Sequence, residues 1–344
     1  MYEIRLCKAN ELDLLKNFLR QSWSQNHIFL DDNNFLDFQH KSLIGYNFVV
    51  AYHVVKKEFH GILGIVSKSH YSKLRIVKDD DIWLAIWKVD KDLSDSHSLG
   101  SDLLKYVERV YRPNSISAIG INESVSSLYK LFGYSIKTMN QWFIPNYHYK
   151  NNHLIVGKIP IKKERLRDYK EPAKIPITKE IGFNLNSFSN FLIKNKTKKD
   201  QAYILSRYNN HPSYSYKCLG FFDIDQRILG FAVGRVVTGG TSKAMRLTEL
   251  FFESEDFFNL SESFQMYLVK NNLEYIDFLE YGFDDISLES IGFIKSSDSL
   301  FVPHHFEPFE AERKKVMIAF KSKTPFNCTK GDSDLDRPNS QTKI

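Results

Sequence analysis

The hydrophobic pattern divides the chain into strands of period two and helices of period near 3.6. "YNFVVAYHV" (46–54) and "FHGILGIVS" (59–67) are apolar runs joined by a polar turn, which predicts a β-hairpin. "DIWLAIWKVD" (81–90) and "SISAIGIN" (115–122) predict two further strands. Between these two, Leu99, Leu103, Leu104, Val107 and Val110 recur at three- and four-residue spacing and predict a helix with one apolar face. "ESVSSLYKLFGYSI" predicts a short helix stopped at Gly133 and then a strand. Ahead of all these, "NELDLLKNFLRQSW" (10–23) predicts an amphipathic helix opened by Asn10. Strands and helices interleaved in this way imply a mixed α/β (α+β) sheet with helical cover.

The same order recurs downstream. "RILGFAVG" (227–234) resembles "GILGIVSK" (61–68), "AMRLTELFFES" (244–254) takes the place of "DIWLAIWKVD", and "SLESIGF" (287–293) resembles "SLYKLFGY" (127–134). Matches in one order at a nearly constant offset imply a duplication. The charged, proline-bearing stretch 158–180 reads as a linker. The expected organisation is therefore a first domain at 1–157, a linker at 158–180, a second domain at 181–324 and a polar tail at 325–344.

Composition narrows the classes. The formal net charge of +6 is spread over both halves, which argues against a nucleic-acid face. No stretch approaches the about 18 apolar residues needed to cross a bilayer, and the start lacks a signal-peptide pattern. Cys7, Cys218 and Cys328 are few and far apart, so they suggest reduced thiols and not a disulfide framework or zinc cluster. A cytoplasmic protein without membrane insertion is expected.

The stretch "DSHSLGSDLL" (95–104) sets small residues between a strand and a helix. Such a turn either caps the helix through Ser98 or presents the helix-start amides of Ser98, Leu99, Gly100 and Ser101 to a phosphate. Together with "NESVSSLYKLFGY" (122–134) it resembles the GNAT family of acyl-CoA-dependent N-acyltransferases, across about 45–145. That family carries Gln/Arg-x-x-Gly-x-Gly/Ala at the turn. Here Asp95 and Ser98 depart from the pattern and Gly100 keeps it, while Asn122, Tyr129, Gly133 and Tyr134 match the second motif.

The resemblance implies a tandem double-GNAT protein, of a type associated with surface-polysaccharide biosynthesis. It implies acetyl-CoA or another acyl-CoA as co-substrate, its diphosphate on Ser98–Ser101 and its pantetheine arm along Ile86, Trp87, Lys88 and Val89, with Asn122 beside it. Tyr129 would protonate the departing thiolate; a core aromatic is the competing reading. The base is open among Asp90, Glu123 and the histidines, notably His27. Trp23 and His27 are placed to wall an acceptor such as a sugar ring.

In the second half no glycine precedes the helix in "EDFFNLSESFQMYLV" (255–269), so coenzyme is expected in the first half alone. "FVPHHFEPFE" (301–310) fixes His304, His305 and Glu307 on a proline-bound loop that suits an acceptor pocket better than a metal. "KGDSDLDRPN" (330–339) has Asp332, Asp334 and Asp336 at alternate positions. Arg337 stands where a calcium loop needs glycine and Lys343 where it needs glutamate, so that loop is excluded. A solvated tail is the default; folded back, Asp334, Asp336 and Arg337 would meet sugar hydroxyls or a nucleotide phosphate. The function expected is acyl transfer to the amine of a small acceptor, an amino sugar or sugar nucleotide. A glycan- or partner-binding protein with a degenerate fold, or a protein N-acetyltransferase, is the alternative.

Overall fold

The computed structural model describes residues 1–72, 79–90, 98–149, 152–160, 176–183, 191–192, 199–252, 260–306 and 309–338. The first half runs β1 (Tyr2–Lys8), α1 (Leu12–Ser22), α2 (Ile28–Asp31), α3 (Asn33–His40), β2 (Lys41–Ser42), β3 (Gly45–His53), β4 (Glu58–Ser67), α4 (Lys68–Tyr71), β5 (Asp81–Val89), α5 (Leu99–Tyr111), β6 (Ser115–Ile121), α6 (Glu123–Leu131), β7 (Ser135–Thr138) and β8 (Asn140–Pro145). The predicted hairpin is β3–β4, and the predicted helix between the third and fourth strands is α5.

The second half runs β9 (Ile177–Ile181), α7 (Gln201–Ile204), β10 (Lys217–Phe222), β11 (Ile228–Gly239), β12 (Ser242–Phe252), α8 (Leu260–Lys270), β13 (Tyr275–Tyr281), α9 (Asp285–Ser290), β14 (Ile294–Lys295), β15 (Met317–Ser322) and β16 (Cys328–Thr329). Two eight-stranded sheets result. Along one, the order is β1-β3-β4-β5-β6-β15-β7, with β2 beside β3; along the other it is β9-β10-β11-β12-β13-β8-β14, with β16 beside β13. Position by position the two orders correspond. The equivalence extends to Gly133 and Gly292, which end α6 and α9 at left-handed φ of +79° and +99°, a conformation that favours glycine.

The sheets do not each draw on one half of the chain. β8 leaves the first half to pair with β13 and β14, and β15 leaves the second half to sit between β6 and β7. Each half thus supplies one inner strand to the other's sheet. Residues 154–155, placed before the expected linker, also pack with the second sheet, their amides donating to Glu274 Oε1 at 2.7 and 2.9 Å. Residues 161–175 of that linker lie outside the described residues.

Strand alternation decides which helices cover which face. Val49, Ala51, Leu63 and Leu84 meet Leu99, Leu103, Leu104 and Val107 of α5, while Val50, Ile62 and Ile86 meet Leu15, Phe18 and Leu19 of α1 and Phe35 and Leu36 of α3. Each such buried side chain contributes on the order of 1.5–3 kcal/mol. A third cluster joins the halves, with Val66, Trp83, Ile119 and Ile318 against Phe231, Val233 and Leu279. The tail departs from the solvated default: residues 328–334, Asp336 and Pro338 are buried. Their partners, described below, include residues more than a hundred positions away.

Candidate active site

The site begins where two strands part. β5 and β6 pair in parallel at Asp81–Ser115, Ile82–Ile116 and Trp83–Ser117, and the pairing ends there although both strands run on. A bulge helps to turn β5 away: Ile65 faces Leu84 and Leu63 faces Trp87, so Ala85 and Ile86 together oppose Gly64. Among the described residues, the edge of β5 from Ile86 to Val89 therefore has no strand partner on its β6 side.

The second sheet repeats the device. β12 and β13 pair from Ala244–Tyr275 to Leu247–Phe278, and Thr248 is the extra residue opposite the Val233–Gly234 step. There the chain closes its own gap. β16 pairs with β13 at Glu280–Thr329 and Tyr281–Cys328, the Lys330 amide donates to Leu279 O (3.0 Å), and the Gly331 amide donates to Thr248 O (3.2 Å). Lys199 Nζ bonds Glu249 Oε1 and Oε2 (2.6 and 2.7 Å) and lies 2.8 Å from Asp332, fastening the strap beside this gap.

At the first gap the strap forms a wall instead of a bridge. A cavity of about 440 Å³ opens there, bounded by Ala85, Ile119, Gly120 and Asn122, by Trp23 and His27, by His305, and by Arg235, Lys330 and Asp334–Pro338. Asp336 Oδ1 lies 3.1 Å from Arg235 Nη2 and 3.3 Å from Lys330 Nζ, and Oδ2 accepts from the Tyr216 hydroxyl at 2.6 Å. Burial works against the Asp336 carboxylate, yet Arg235 and Lys330 hold it well below the usual range. Burial, with Arg246 and Arg235 nearby, lowers Lys330 to about 8 against the pull of Asp336. At the rim, Arg337 pairs with Asp334 at 2.9 Å.

The expected residues fall into three groups. His27, Trp23, His305, Asn122, Asp334, Asp336 and Arg337 line the cavity. Ile86, Trp87, Lys88 and Val89 form the open edge. Ser98 caps α5 without a side-chain bond, Ser101 Oγ donates to Ser98 O (2.8 Å), and the amides of Leu99, Gly100 and Ser101 begin the helix without intrahelical acceptors. Gly100 has no left-handed conformation, and a methyl group there would lie 3.6 Å from Trp87 Nε1, in ordinary contact, so the helix start does not depend on glycine's backbone freedom. The Trp87 indole lies between this helix start and Tyr129, its centroid 5.5 Å from the Tyr129 ring.

Tyr129 is buried, and burial pushes its hydroxyl up, so it remains protonated. Glu123 is exposed at the start of α6 and is not part of the cavity wall. His27 is unsuited to the base role. The lone pair of its Nδ1 is taken by the Phe29 amide (3.2 Å) as the cap of α2, and Arg337 Nη1 lies 3.5 Å from its Nε2. His304 sits behind the cavity; its Nδ1 accepts from the Phe306 amide (3.1 Å). That bond keeps the ring proton on Nε2, the nitrogen facing Glu310 and Glu312 at 3.9 and 4.0 Å, so the three are a poor metal set. Asp95 and Glu307 lie outside the described residues.

Sequence reasoning missed Arg235, Lys330, Arg246 and Asp277. The signal was available for three of them, since Arg235, Arg246 and Asp277 are charges inside otherwise apolar strands, where a charge needs a partner.

No protein-family model and no curated protein matches the sequence. Among solved structures, the chain is similar to a GCN5-related N-acetyltransferase from Anabaena variabilis, with 10% identity, a TM-score of 0.56, and coverage of 93% of this chain and 72% of that one. It is also similar to an Enterococcus faecalis protein of unknown function described as a probable N-acyltransferase, with 7% identity, a TM-score of 0.53, and coverage of 92% and 72%. The fold is a tandem GNAT-like fold. Among the described residues, no helix is long and apolar enough to cross a membrane.

Proposed function

We propose that this protein is an acyl-CoA-dependent N-acyltransferase that uses the first gap, transferring an acetyl or other acyl group to the amine of an amino sugar or sugar nucleotide. The observation that carries the reading is the early end of β5–β6 pairing, which leaves an open backbone edge that continues from Ala85 in the wall of a polar cavity. A pantetheine arm carries amides that pair with such an edge, and a diphosphate suits the amides of Leu99–Ser101. The amine nitrogen forms a bond to the thioester carbonyl carbon, the carbon–sulfur bond breaks, the nitrogen loses a proton and the sulfur gains one. Holding both reactants in line supplies much of the acceleration. Tyr129, protonated and next to Trp87 on the open edge, is the donor to sulfur. Asn122, Asp334 and Arg337 at the mouth, with Arg235 deeper, suit an acceptor bearing hydroxyls and phosphate.

Mass spectrometry after incubation with a panel of acyl-CoAs and amines tests the reading. The expected result is one acyl group added to an amino sugar or its nucleotide, with coenzyme binding seen by calorimetry. No coenzyme binding at high micromolar concentration would favour a glycan- or partner-binding protein, and acylation of peptides alone would move the acceptor to proteins.

A further inference from the structure

The acyl-transfer reading leaves one step without an agent, removal of the acceptor's proton. Among the described groups lining the cavity, most basic atoms are already engaged. His27 Nδ1 caps a helix. Asp334 and Asp336 lie in ion pairs with Arg337 and Arg235. Lys330 Nζ faces His305 O, Leu335 O and Asp336 Oδ1 at 2.9, 3.3 and 3.3 Å, which uses all three of its protons.

His305 differs. Its Nε2 lies 3.0 Å from Asp277 Oδ2, close enough for an ion pair though not aligned as a hydrogen bond, and among the described residues neither of its buried ring nitrogens has a hydrogen-bond partner. The side chains are 1% and 0% exposed. A carboxylate beside Nε2 keeps the ring proton on that nitrogen and leaves the Nδ1 lone pair available, the arrangement by which a third group orients a base.

The surroundings hold this histidine in place. Arg246 and Asp277 face each other across the parallel β12–β13 register. Arg246 Nη2 reaches Asp277 Oδ2 at 3.4 Å and donates to Pro303 O and His304 O at 3.3 and 3.1 Å. Gln141 Nε2 donates to the same carboxylate oxygen (3.3 Å) and to Pro303 O (3.0 Å), and Lys330 donates to His305 O. Four side chains from β8, β12, β13 and the strap thus fix the three residues Pro303–His305. A buried ion pair is a weak source of stability and is better explained by what it positions.

We propose, resting on the acyl-transfer reading, that His305 oriented by Asp277 takes the proton from the acceptor amine as the carbon–nitrogen bond forms. The proton passes from nitrogen to His305 Nδ1, directly or through one water. The charged and titratable groups facing His305 are Asp277 on β13, Arg246 on β12 and Lys330 on the strap. Burial and the two cations keep the imidazole uncharged, as an acceptor of protons must be.

The test compares wild type with His305→Gln and Asp277→Asn in acetyl transfer from acetyl-CoA to the amine identified by the panel. Calorimetry with acetyl-CoA and thermal melts run in parallel. For His305→Gln a loss of kcat of about 100-fold or more is expected, with acetyl-CoA affinity unchanged and the loss shrinking as pH rises and hydroxide replaces the base. The isosteric Asp277→Asn should lower kcat by less and shift the pH profile. A His305→Gln enzyme that folds and keeps kcat within about threefold overturns the proposal while leaving the acyl-transfer reading intact. If that variant fails to fold, an Asp277→Asn enzyme with wild-type kcat and pH profile overturns it. Wild type that transfers no acyl group overturns both.

Discussion

Nη2 of Arg235 lies 3.1 Å from Oδ1 of Asp336, so a strand of the second sheet and the last described segment of the chain are tied by one buried ion pair. Lys330 shares that carboxylate. Replacing Asp336 by Asn removes the anion both cations depend on, and breaking a buried pair costs about 3–5 kcal/mol. Urea melts should show that loss. Arg337→Gln, which breaks a pair at the rim whose side chains are 29% and 12% exposed, should cost no more than about 1 kcal/mol. Equal effects would mean that the strap is not anchored where the structure has it.

The strap's tightest point is Gly331. A Cβ there would lie 2.1 Å from the Tyr208 hydroxyl, 2.7 Å from Glu249 Oε1 and 2.9 Å from Thr248 O. Gly331→Ala should therefore destabilise by about 1–3 kcal/mol, the range for overpacking. Gly100→Ala meets nothing closer than 3.6 Å and should be neutral or stabilising in the same melts. Gly100→Glu, which sets a carboxylate against the expected diphosphate, should fold normally yet lose coenzyme binding by calorimetry.

Three buried histidines give stability a marked dependence on acid. His27, His211 and His305 are each lowered to about 3, chiefly by burial. In the unfolded chain each returns to about 6.5 and takes up a proton as pH falls below that value. The unfolded state then binds more protons than the folded one, so stability is full above about pH 6.5 and declines toward about pH 3. Well below 6.5 the slope is on the order of 1.4 kcal/mol per pH unit per histidine. Melting temperatures should fall steadily from pH 7 to pH 5, and His211→Phe, among the aromatic rings of Phe35, Phe38, Tyr214 and Tyr216, should flatten the slope. A slope unchanged by that substitution would remove His211 from the account.

Tyr129→Phe separates the two readings of that residue. Its hydroxyl makes no hydrogen bond among the described residues, so stability should change by no more than about 0.5 kcal/mol. As the donor to sulfur, its loss should lower kcat by about 100-fold with little change in coenzyme affinity. Unchanged turnover would leave it a core aromatic packed against Trp87 and Tyr134.

The elements that local pattern specifies were legible. β3, β4, β5, α5, β6 and α6 fall within two residues of their expected limits, because each buries one face and the period of that face is written in consecutive residues. The exchange of β8 and β15 was not legible. "NQWFIP" and "MIAFKS" read as strands in any sheet, and the choice of sheet is made by neighbours more than a hundred residues away. The strap was hidden for a related reason. Lys330, Asp332 and Asp336 read as solvated residues because burial of a charge depends on its partner, and Lys199, Glu249 and Arg235 are distant in sequence. Of the acceptor wall, Asp334, Asp336, Arg337, His27 and His305 were visible as chemistry, whereas Arg235 was a lone charge in an apolar strand whose partner, Asp336, lies 101 residues on.

Duplication raises the question of how many coenzymes bind. Both sheets carry the bulge and the parted strands, so symmetry alone would allow two. In the second sheet, however, Thr329 and Cys328 occupy the β13 edge, and Gly331 reaches across to Thr248, so two main-chain contacts span the opening that an extended arm would need. Displacing them would break the Lys199 contact with Asp332 and the Thr329 hydroxyl's bond to Glu249. Coenzyme titration should therefore give a stoichiometry of one per chain. Gly100→Glu should abolish that single event, whereas Phe251→Ala, which alters a wall of the second opening, should leave it unchanged. A stoichiometry of two in wild type, reduced to one by Gly100→Glu, would show that the strap yields and that the second gap is a working site.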